Sequence, residues 1–197
     1  MKVYKFSAGS FGCNSYILTA DNRTAVVVDC PDERVYYECE LWSVKPVAVL
    51  LTHGHFDHVG GCGKFFEKNI PIYCGENEKE YVFSRENSSI FGGVYIPEFE
   101  IAKTLRDGEK ITLAGIEFEV ISTAGHTPGG VCYLAENCLF SGDTLFRGGV
   151  GRTDLPGGDF RKLVESLKKL FTIDKNLKVY CGHGEDTTLD AERANNR

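Results

Sequence analysis

A layered α/β domain is what the 197-residue sequence predicts, and three observations carry that reading. Short strand-like apolar runs alternate with segments of helical apolar spacing. The alternation occurs in two similar halves, and in each half a run of this kind ends in a loop that carries glycine and histidine. With 42% apolar residues the chain is long enough for one sizeable core, and the whole of 1–197 is expected to form a single domain.

In order along the chain, "KVYKFS", "SYILTA" and "TAVVVDC" read as successive strands separated by turn residues, "ADNRT" being the clearest, and suggest an antiparallel meander. "DERVYYECELWSV" has helical spacing that Pro46 interrupts, and "VAVLL" is a buried strand running straight into "THGHFDHVGG". Next, "HVGGCGKFFEKN" predicts a glycine-interrupted helix, "PIYC" a short strand and "ENEKEYVFSR" a charged amphipathic helix. "SRENSSIFGGVYIPEFEIAK" has the weakest periodicity and reads as a long surface loop. In the second half, "EKITLAGIEFEVIST" and "GVCYLAENCLFSGD" predict hairpins and "DFRKLVESLKKLF" a capped amphipathic helix. "LKVYCGHG" predicts a strand that ends in another glycine and histidine loop.

The net charge of −6 and a pI near 5.4 leave no basic stripe for nucleic acid or an anionic membrane surface. No window reaches the roughly 18 apolar residues of a membrane span, and "MKVYKFSAGSFGCNSY" lacks the apolar stretch of a secretory signal. A small-molecule partner, a cytoplasmic location and a monomer or small homo-oligomer are expected. The eight cysteines are scattered without a C-x-x-C pair and are expected to stay reduced. Cys181 ends a strand-like run two residues before His183 and reads as a small buried hydrophobe.

The five histidines decide the chemistry. His53, His55, His58, His126 and His183 all sit in loops next to glycine or a charged residue, and each loop follows a strand-like run. Residues i and i+2 of an extended loop project to the same side, so His53 and His55 can grip one ion together. Asp57 and His58 then fall at the start of the following helix, free to hold a neighbouring ion. "STAGHTPGG", "LFSGDTLF" and "YCGHGED" add His126, Asp143 and His183, which makes seven candidate ligands. Imidazole and carboxylate suit zinc, manganese or iron, and the ligand loops offer no thiolate-rich set for a closed structural zinc site. Seven ligands over two ions leave open positions and room for a bridging water.

"THGHFDHVGG" resembles the HxHxDH signature of the metallo-β-lactamase superfamily, and "GHTPG", "SGDTLF" and "GHG" resemble its later ligand loops in order. The resemblance spans the chain and implies a four-layer αββα sandwich with a dinuclear site at one edge, between the two sheets. It further implies that His53, His55 and His126 hold one ion, that Asp57, His58 and His183 hold the other, and that Asp143 bridges them. The implied cofactors are two divalent transition-metal ions, zinc first, with iron or manganese as alternatives. Within the superfamily, "SGDTLFRGGVGRTDLPGGD" resembles the small single-domain type II glyoxalases, the hydroxyacylglutathione hydrolases. Two-domain members carry an added C-terminal helical domain that contacts the thiol part of the substrate, and no segment of this sequence corresponds to it. Ala124, Gly130 and Glu185 stand where relatives often have proline, serine and proline, and none of these is a ligand.

That resemblance implies hydrolysis of a thioester such as S-lactoylglutathione by a metal-bridging hydroxide, since a metal lowers the pKa of water from about 15.7 towards about 7. Asp57, ligand and hydrogen-bond acceptor at once, is the candidate catalytic residue that orients it. Arg152, and behind it Arg147, offers a forked donor set for a substrate carboxylate. The neighbouring glycines, Gly148, Gly149, Gly151, Gly157 and Gly158, read as turn formers, because the loop lacks the Gly-Lys-Ser/Thr of a phosphate cradle. Two other functions stand beside the hydrolase. A persulfide dioxygenase with a single iron shares HxHxDH and a very similar "GRTD" loop, while "DTLF" and "LPGGD" lean towards the hydrolase. A non-enzymatic metal-binding module would have little use for open positions. β-Lactamase activity is set aside on the ground that His58 and Asp143 stand where those enzymes generally carry other residues.

Overall fold

The computed structural model describes residues 1–90 and 95–196. The opening meander forms as expected: β1 (Lys2–Ala8), β2 (Cys13–Thr19) and β3 (Thr24–Val28) pair antiparallel. Helix α1 (Arg34–Leu41) then leads to β4 (Lys45–Leu50), and the short helices α2 (Phe56–Val59) and α3 (Cys62–Glu67) lead to β5 (Ile72–Gly75). Helices α4 (Lys79–Val82) and α5 (Arg85–Ser88) precede β6 (Lys103–Leu105), which completes a six-stranded sheet in the order β1-β2-β3-β4-β5-β6, parallel from β3 onward.

The second half supplies β7 (Lys110–Leu113), β8 (Ile116–Ser122), β9 (Val131–Ala135) and β10 (Cys138–Gly142). After the two-residue strands β11 (Leu145–Phe146) and β12 (Gly149–Val150) come α6 (Phe160–Phe171), β13 (Lys178–Cys181), β14 (Thr187–Thr188) and α7 (Leu189–Asn195). The second six-stranded sheet runs β14-β13-β10-β9-β8-β7, with β10 and β13 parallel.

Three cores define four layers. Strands alternate sides with period two, so Tyr16, Leu18, Val26 and Val28 of the first sheet meet Phe118, Tyr133 and Phe140 of the second in a core between the sheets. Their neighbours Ile17, Ala25 and Val27 face outward, onto Val35 and Cys39 of α1 and Phe65 of α3. On the far side Ile121, Cys132, Leu139 and Val179 pack with Leu170 of α6 and Leu189 of α7. The order is helices, sheet, sheet, helices, the αββα sandwich. Each fully buried aliphatic side chain in these cores stabilises the fold by about 1.5–3 kcal/mol relative to exposure.

Local chemistry explains the helix bounds. Asp159 takes an extended backbone and accepts hydrogen bonds from the Arg161 and Lys162 amides at 2.9 and 3.2 Å, starting α6, and Lys168 and Lys169 sit in its last turn, where cations suit the helix dipole. The single charged helix expected over "ENEKEYVFSR" is instead two short ones. Ser84 is extended and its hydroxyl accepts from the Asn87 amide at 3.0 Å, so the chain ends α4 and restarts as α5. Pro46 lies inside β4 rather than before it, opposite Ala25 where the pairing register shifts. Of the long loop expected over 84–103, α5 occupies the start and β6 begins at the end, while 91–94 lie outside the described residues.

Among the described residues no helix is long and apolar enough to cross a membrane. All eight cysteines are free thiols, and Cys181 is buried in the outer core of the second sheet. The ends of β3, β4, β10 and β13 and the β8–β9 connection converge at one edge of the sandwich, which is where the candidate ligands lie.

Candidate metal centre

The loop after β4 brings His53 and His55 to this edge, and α2 carries Asp57 and His58. The β8–β9 connection presents His126, the end of β10 presents Asp143, and the end of β13 presents His183. These seven residues come together. His53, His55 and His126 form one cluster with ring centroids 4.6 to 4.8 Å apart. On the other side His58 Nε2 lies 3.4 Å from His183 Nε2, which is 3.3 Å from Asp57 Oδ2. The Asp143 carboxylate stands between the sets, with Oδ1 3.4 Å from His58 Nε2 and Oδ2 3.5 Å from His126 Nε2 and 3.6 Å from His183 Nε2. A Cβ at Gly182 would overlap Asp143 Oδ1, so glycine in "GHG" makes this approach possible.

Four of the imidazoles are oriented by protein acceptors. His126 Nδ1 donates to the Arg152 carbonyl at 2.7 Å, and His58 Nδ1 to Asp29 Oδ2 at 2.8 Å. Thr52 Oγ1 donates to Asp29 Oδ2 at 2.7 Å and is thereby an acceptor for His53 Nδ1 at 3.1 Å. Tyr81 OH donates to the Pro156 carbonyl at 2.7 Å and is an acceptor for His55 Nε2 at 3.1 Å. In its neutral form each ring thus has one nitrogen fixed as a donor and the other left with its lone pair. Buried and without a hydrogen-bond partner among the described residues are His53 Nε2, His126 Nε2 and Asp143 Oδ1. Orphaned buried polar atoms are costly, and three of them facing one another fit a bound cation.

Electrostatics differ across the cluster. Burial first, then the neighbouring imidazoles, push His55 down to about 3 and hold His53 far below the usual imidazole range. Burial opposes the charged form of His58 as well, yet the adjoining Cys13 sulfur, then the carboxylates of Asp29 and Asp143, outweigh it and raise this ring. Burial alone would raise the Asp143 carboxyl, and the imidazoles of His58, His126 and His183 overcome that and lower it.

Sequence reasoning passed over four supporting residues. Asp29, 2% exposed, anchors both Thr52, whose amide it accepts at 2.7 Å, and His58. Its only sequence signal is a carboxylate closing an apolar strand. Glu78, fully buried, accepts from the Gly54 amide at 2.7 Å, the Gly129 amide at 2.8 Å and Thr127 Oγ1 at 2.9 Å, clasping the His53–His55 loop to the His126 loop. Burial pushes its carboxyl up to about 7. Tyr81 is the third. Cys13 is the fourth, with Sγ 3.5 Å from His58 Nδ1, and burial pushes its thiol up to about 12.

Arg152 stands on the rim of a cleft of about 200 Å³ that His55, Asp57, His126, Asp143 and His183 also line. Its guanidinium is forked onto Asp154 at 2.7 Å through Nε and Nη2, and both side chains are exposed. Arg147, in the β11–β12 turn, pairs with Glu185. Phe11, Ile90 and Leu155 give the cleft an apolar wall.

An imidazole and carboxylate cluster at the strand ends of an αββα sandwich, with lone pairs turned inward, defines a metal-binding fold of one kind: the chain belongs to the metallo-beta-lactamase superfamily, whose description matches residues 8–183. It is 33% identical to the hydroxyacylglutathione hydrolase GloC of Haemophilus influenzae over 205 residues, covering all of this chain and 97% of that one. Among solved structures it is similar to the BLEG-1 B3 metallo-beta-lactamase, with a TM-score of 0.92 and 32% identity over 99% of this chain and 98% of that one. It is similar also to TTHA1623 in a di-iron-bound form, with a TM-score of 0.85 and 33% identity over 98% of each chain.

Proposed function

We propose that the chain is a single-domain, dinuclear metallo-hydrolase that cleaves a small-molecule thioester of the S-lactoylglutathione type. The observation that carries this reading is the array of oriented imidazoles around Asp143, in which His53 Nε2, His126 Nε2 and Asp143 Oδ1 have no hydrogen-bond partner among the described residues. In this proposal His53, His55 and His126 hold one ion, Asp57, His58 and His183 the other, and Asp143 touches both. The likeness to TTHA1623, solved in a di-iron-bound form, supports the two-ion reading and keeps iron beside zinc as a candidate metal. When bound, such ions supply a water of lowered pKa and Lewis acidity at the thioester carbonyl.

The chain's own residues do the rest. Asp57, on the cleft wall with its side chain 14% exposed, accepts a hydrogen bond from the attacking water and aims it. The apolar wall of Phe11, Ile90 and Leu155 excludes competing water from the acyl group. Arg152 meets a substrate carboxylate through the guanidinium donors that Asp154 leaves free. The likeness to GloC supports a hydroxyacylglutathione as the substrate.

The likeness to BLEG-1 brings back β-lactam hydrolysis, set aside above on ligand identity, as a second reading. Parallel assays on the metal-loaded protein separate the readings: S-lactoylglutathione hydrolysis, turnover of a chromogenic cephalosporin, and oxygen uptake with glutathione persulfide. The expected result is hydrolysis of the thioester with kcat/KM well above the cephalosporin value and no oxygen uptake. Oxygen uptake with one iron per chain would reject the proposal in favour of a persulfide dioxygenase, and a dominant cephalosporin activity in favour of a lactamase.

A further inference from the structure

One carboxylate that belongs to neither ligand set is bonded only to the loops of the first. Glu78 immediately precedes α4, is fully buried and forms no ion pair among the described residues. Its Oε1 accepts from the Gly54 amide at 2.7 Å, and its Oε2 from the Gly129 amide at 2.8 Å and Thr127 Oγ1 at 2.9 Å. Gly54 separates His53 from His55, and Thr127 follows His126. A single side chain therefore joins the two loops that carry all three candidate ligands of the first half. A buried carboxylate without a cation is costly, and the three donors that satisfy this one all come from those loops.

The backbone is shaped to allow the junction. A Cβ at Gly129 would lie 2.1 Å from the Glu78 amide nitrogen, and one at Gly54 would lie 2.6 Å from Val82 Cγ2, so glycine at both positions lets the loops close onto the start of α4. The Gly54 carbonyl accepts from Asn87 Nδ2 at 2.7 Å. The residue between His53 and His55 is thus gripped at both backbone groups, its amide by Glu78 and its carbonyl by Asn87. The second half is tied elsewhere: Asn14 Nδ2 donates to the Cys181 and Gly184 carbonyls on either side of His183, both at 3.0 Å, and Asp29 orients His58.

We propose that Glu78 is the positioning residue of the first half: it fixes His53 and His55 against His126, and so sets how tightly that half, and not the other, holds its ion. The inference rests on the two-ion reading. Glu78 touches no reacting atom and acts through Gly54, Thr127 and Gly129. Glutamine matches glutamate in size but not in acceptor pattern. Whichever way its amide turns, the NH2 group faces the amide of Gly54 or that of Gly129, donor against donor, and one loop is released.

The test measures zinc affinity by competition with a chromophoric chelator, in two backgrounds that leave one ion each. At pH 8 Glu78, pushed up to about 7 by burial, is ionised. In His58→Ala, which keeps the ion of the first half, adding Glu78→Gln is expected to weaken zinc binding about tenfold to a hundredfold, the usual effect of losing a group that holds ligands in place. In His53→Ala, which keeps the ion of the second half, the same addition is expected to change zinc binding by less than about twofold, as for independent sites. Thr127→Val removes one of the three donors and keeps the side chain's shape; it weakens the first ion in the same direction by less, and serves if Glu78→Gln does not fold. A loss as large in His53→Ala as in His58→Ala marks a general loosening of the fold and overturns the positioning role, as does unchanged affinity in His58→Ala. A His58→Ala protein that holds two ions, or none, fails at the two-ion reading itself, before Glu78 is altered.

Discussion

The two halves of the candidate ligand cluster are built from similar residues and behave differently. His53, His55 and His126 are 2, 4 and 5% exposed, their outer nitrogens bonded to a threonine, a tyrosine and a backbone carbonyl, all neutral groups. His58 is fully buried but bonded to a carboxylate, Asp29, and its companions Asp57 and His183 open towards the cleft, their side chains 14 and 28% exposed. Burial among uncharged groups keeps the first set neutral, ready to ligate without losing a proton. Neighbouring carboxylates, with Cys13 beside His58, make the imidazoles of the second set able to hold a proton. In the proposed dinuclear site the first half is a preformed cage, and the second half handles charge next to the substrate.

The substitution with the largest expected effect removes what joins the halves. Asp143→Ala takes away the carboxylate that lies within 3.4 to 3.6 Å of candidate-ligand nitrogens from both sets. Metal content is expected to fall well below the parent's and thioester hydrolysis by orders of magnitude. Metal analysis after purification checks this, and full metal with full activity in Asp143→Ala would remove the bridging role.

A pH titration of the metal-free protein sharpens the contrast between halves. His55, pushed down to about 3 in the fold, lies below the value of about 6.5 for an unfolded imidazole. Its contribution to stability is therefore complete above pH 6.5 and is lost as pH falls from there towards 3, at about 1.36 kcal/mol per unit. His58, raised in the fold, has the opposite sign: its contribution is present below about pH 6.5 and is lost as pH rises through its folded value. Imidazole nitrogen signals followed by NMR are expected to show His53 and His55 neutral at pH 5 and His58 still protonated above pH 6.5. The same titration midpoint for all of them would erase the distinction.

The smallest effect is expected at the rim. Arg152→Ala leaves the His126 anchor intact, because that anchor is the Arg152 backbone carbonyl. Metal per chain is expected to stay at the parent value while KM for S-lactoylglutathione rises by up to about tenfold, the equivalent of one exposed charge-assisted bond. A loss of metal in this variant would mean that the side chain supports the cage.

The candidate ligands were legible because each sits in or directly beside a short glycine-marked loop, and their chemistry is carried by residue type. The sheets were legible wherever a strand is long enough for its apolar pattern to show. What escaped has a common physical cause. β11, β12 and β14 span two residues each, too few for a period to register, and β6 spans three. Asp29 and Glu78 act across 23 to 51 positions of sequence, through backbone amides and hydroxyls that any residue type could present at those distances. The break between α4 and α5 turned on the Ser84 cap, a single hydrogen bond that outweighed the helical pattern running through it.

Two ions held from one crowded stretch, His53 to His58, is the central claim, and metal per chain in His58→Ala against the parent tests it most directly. The account expects close to two ions in the parent and close to one in the variant, with the His53, His55 and His126 cage still loaded and thioester hydrolysis reduced by orders of magnitude. Equal, undiminished metal in His58→Ala would contradict it.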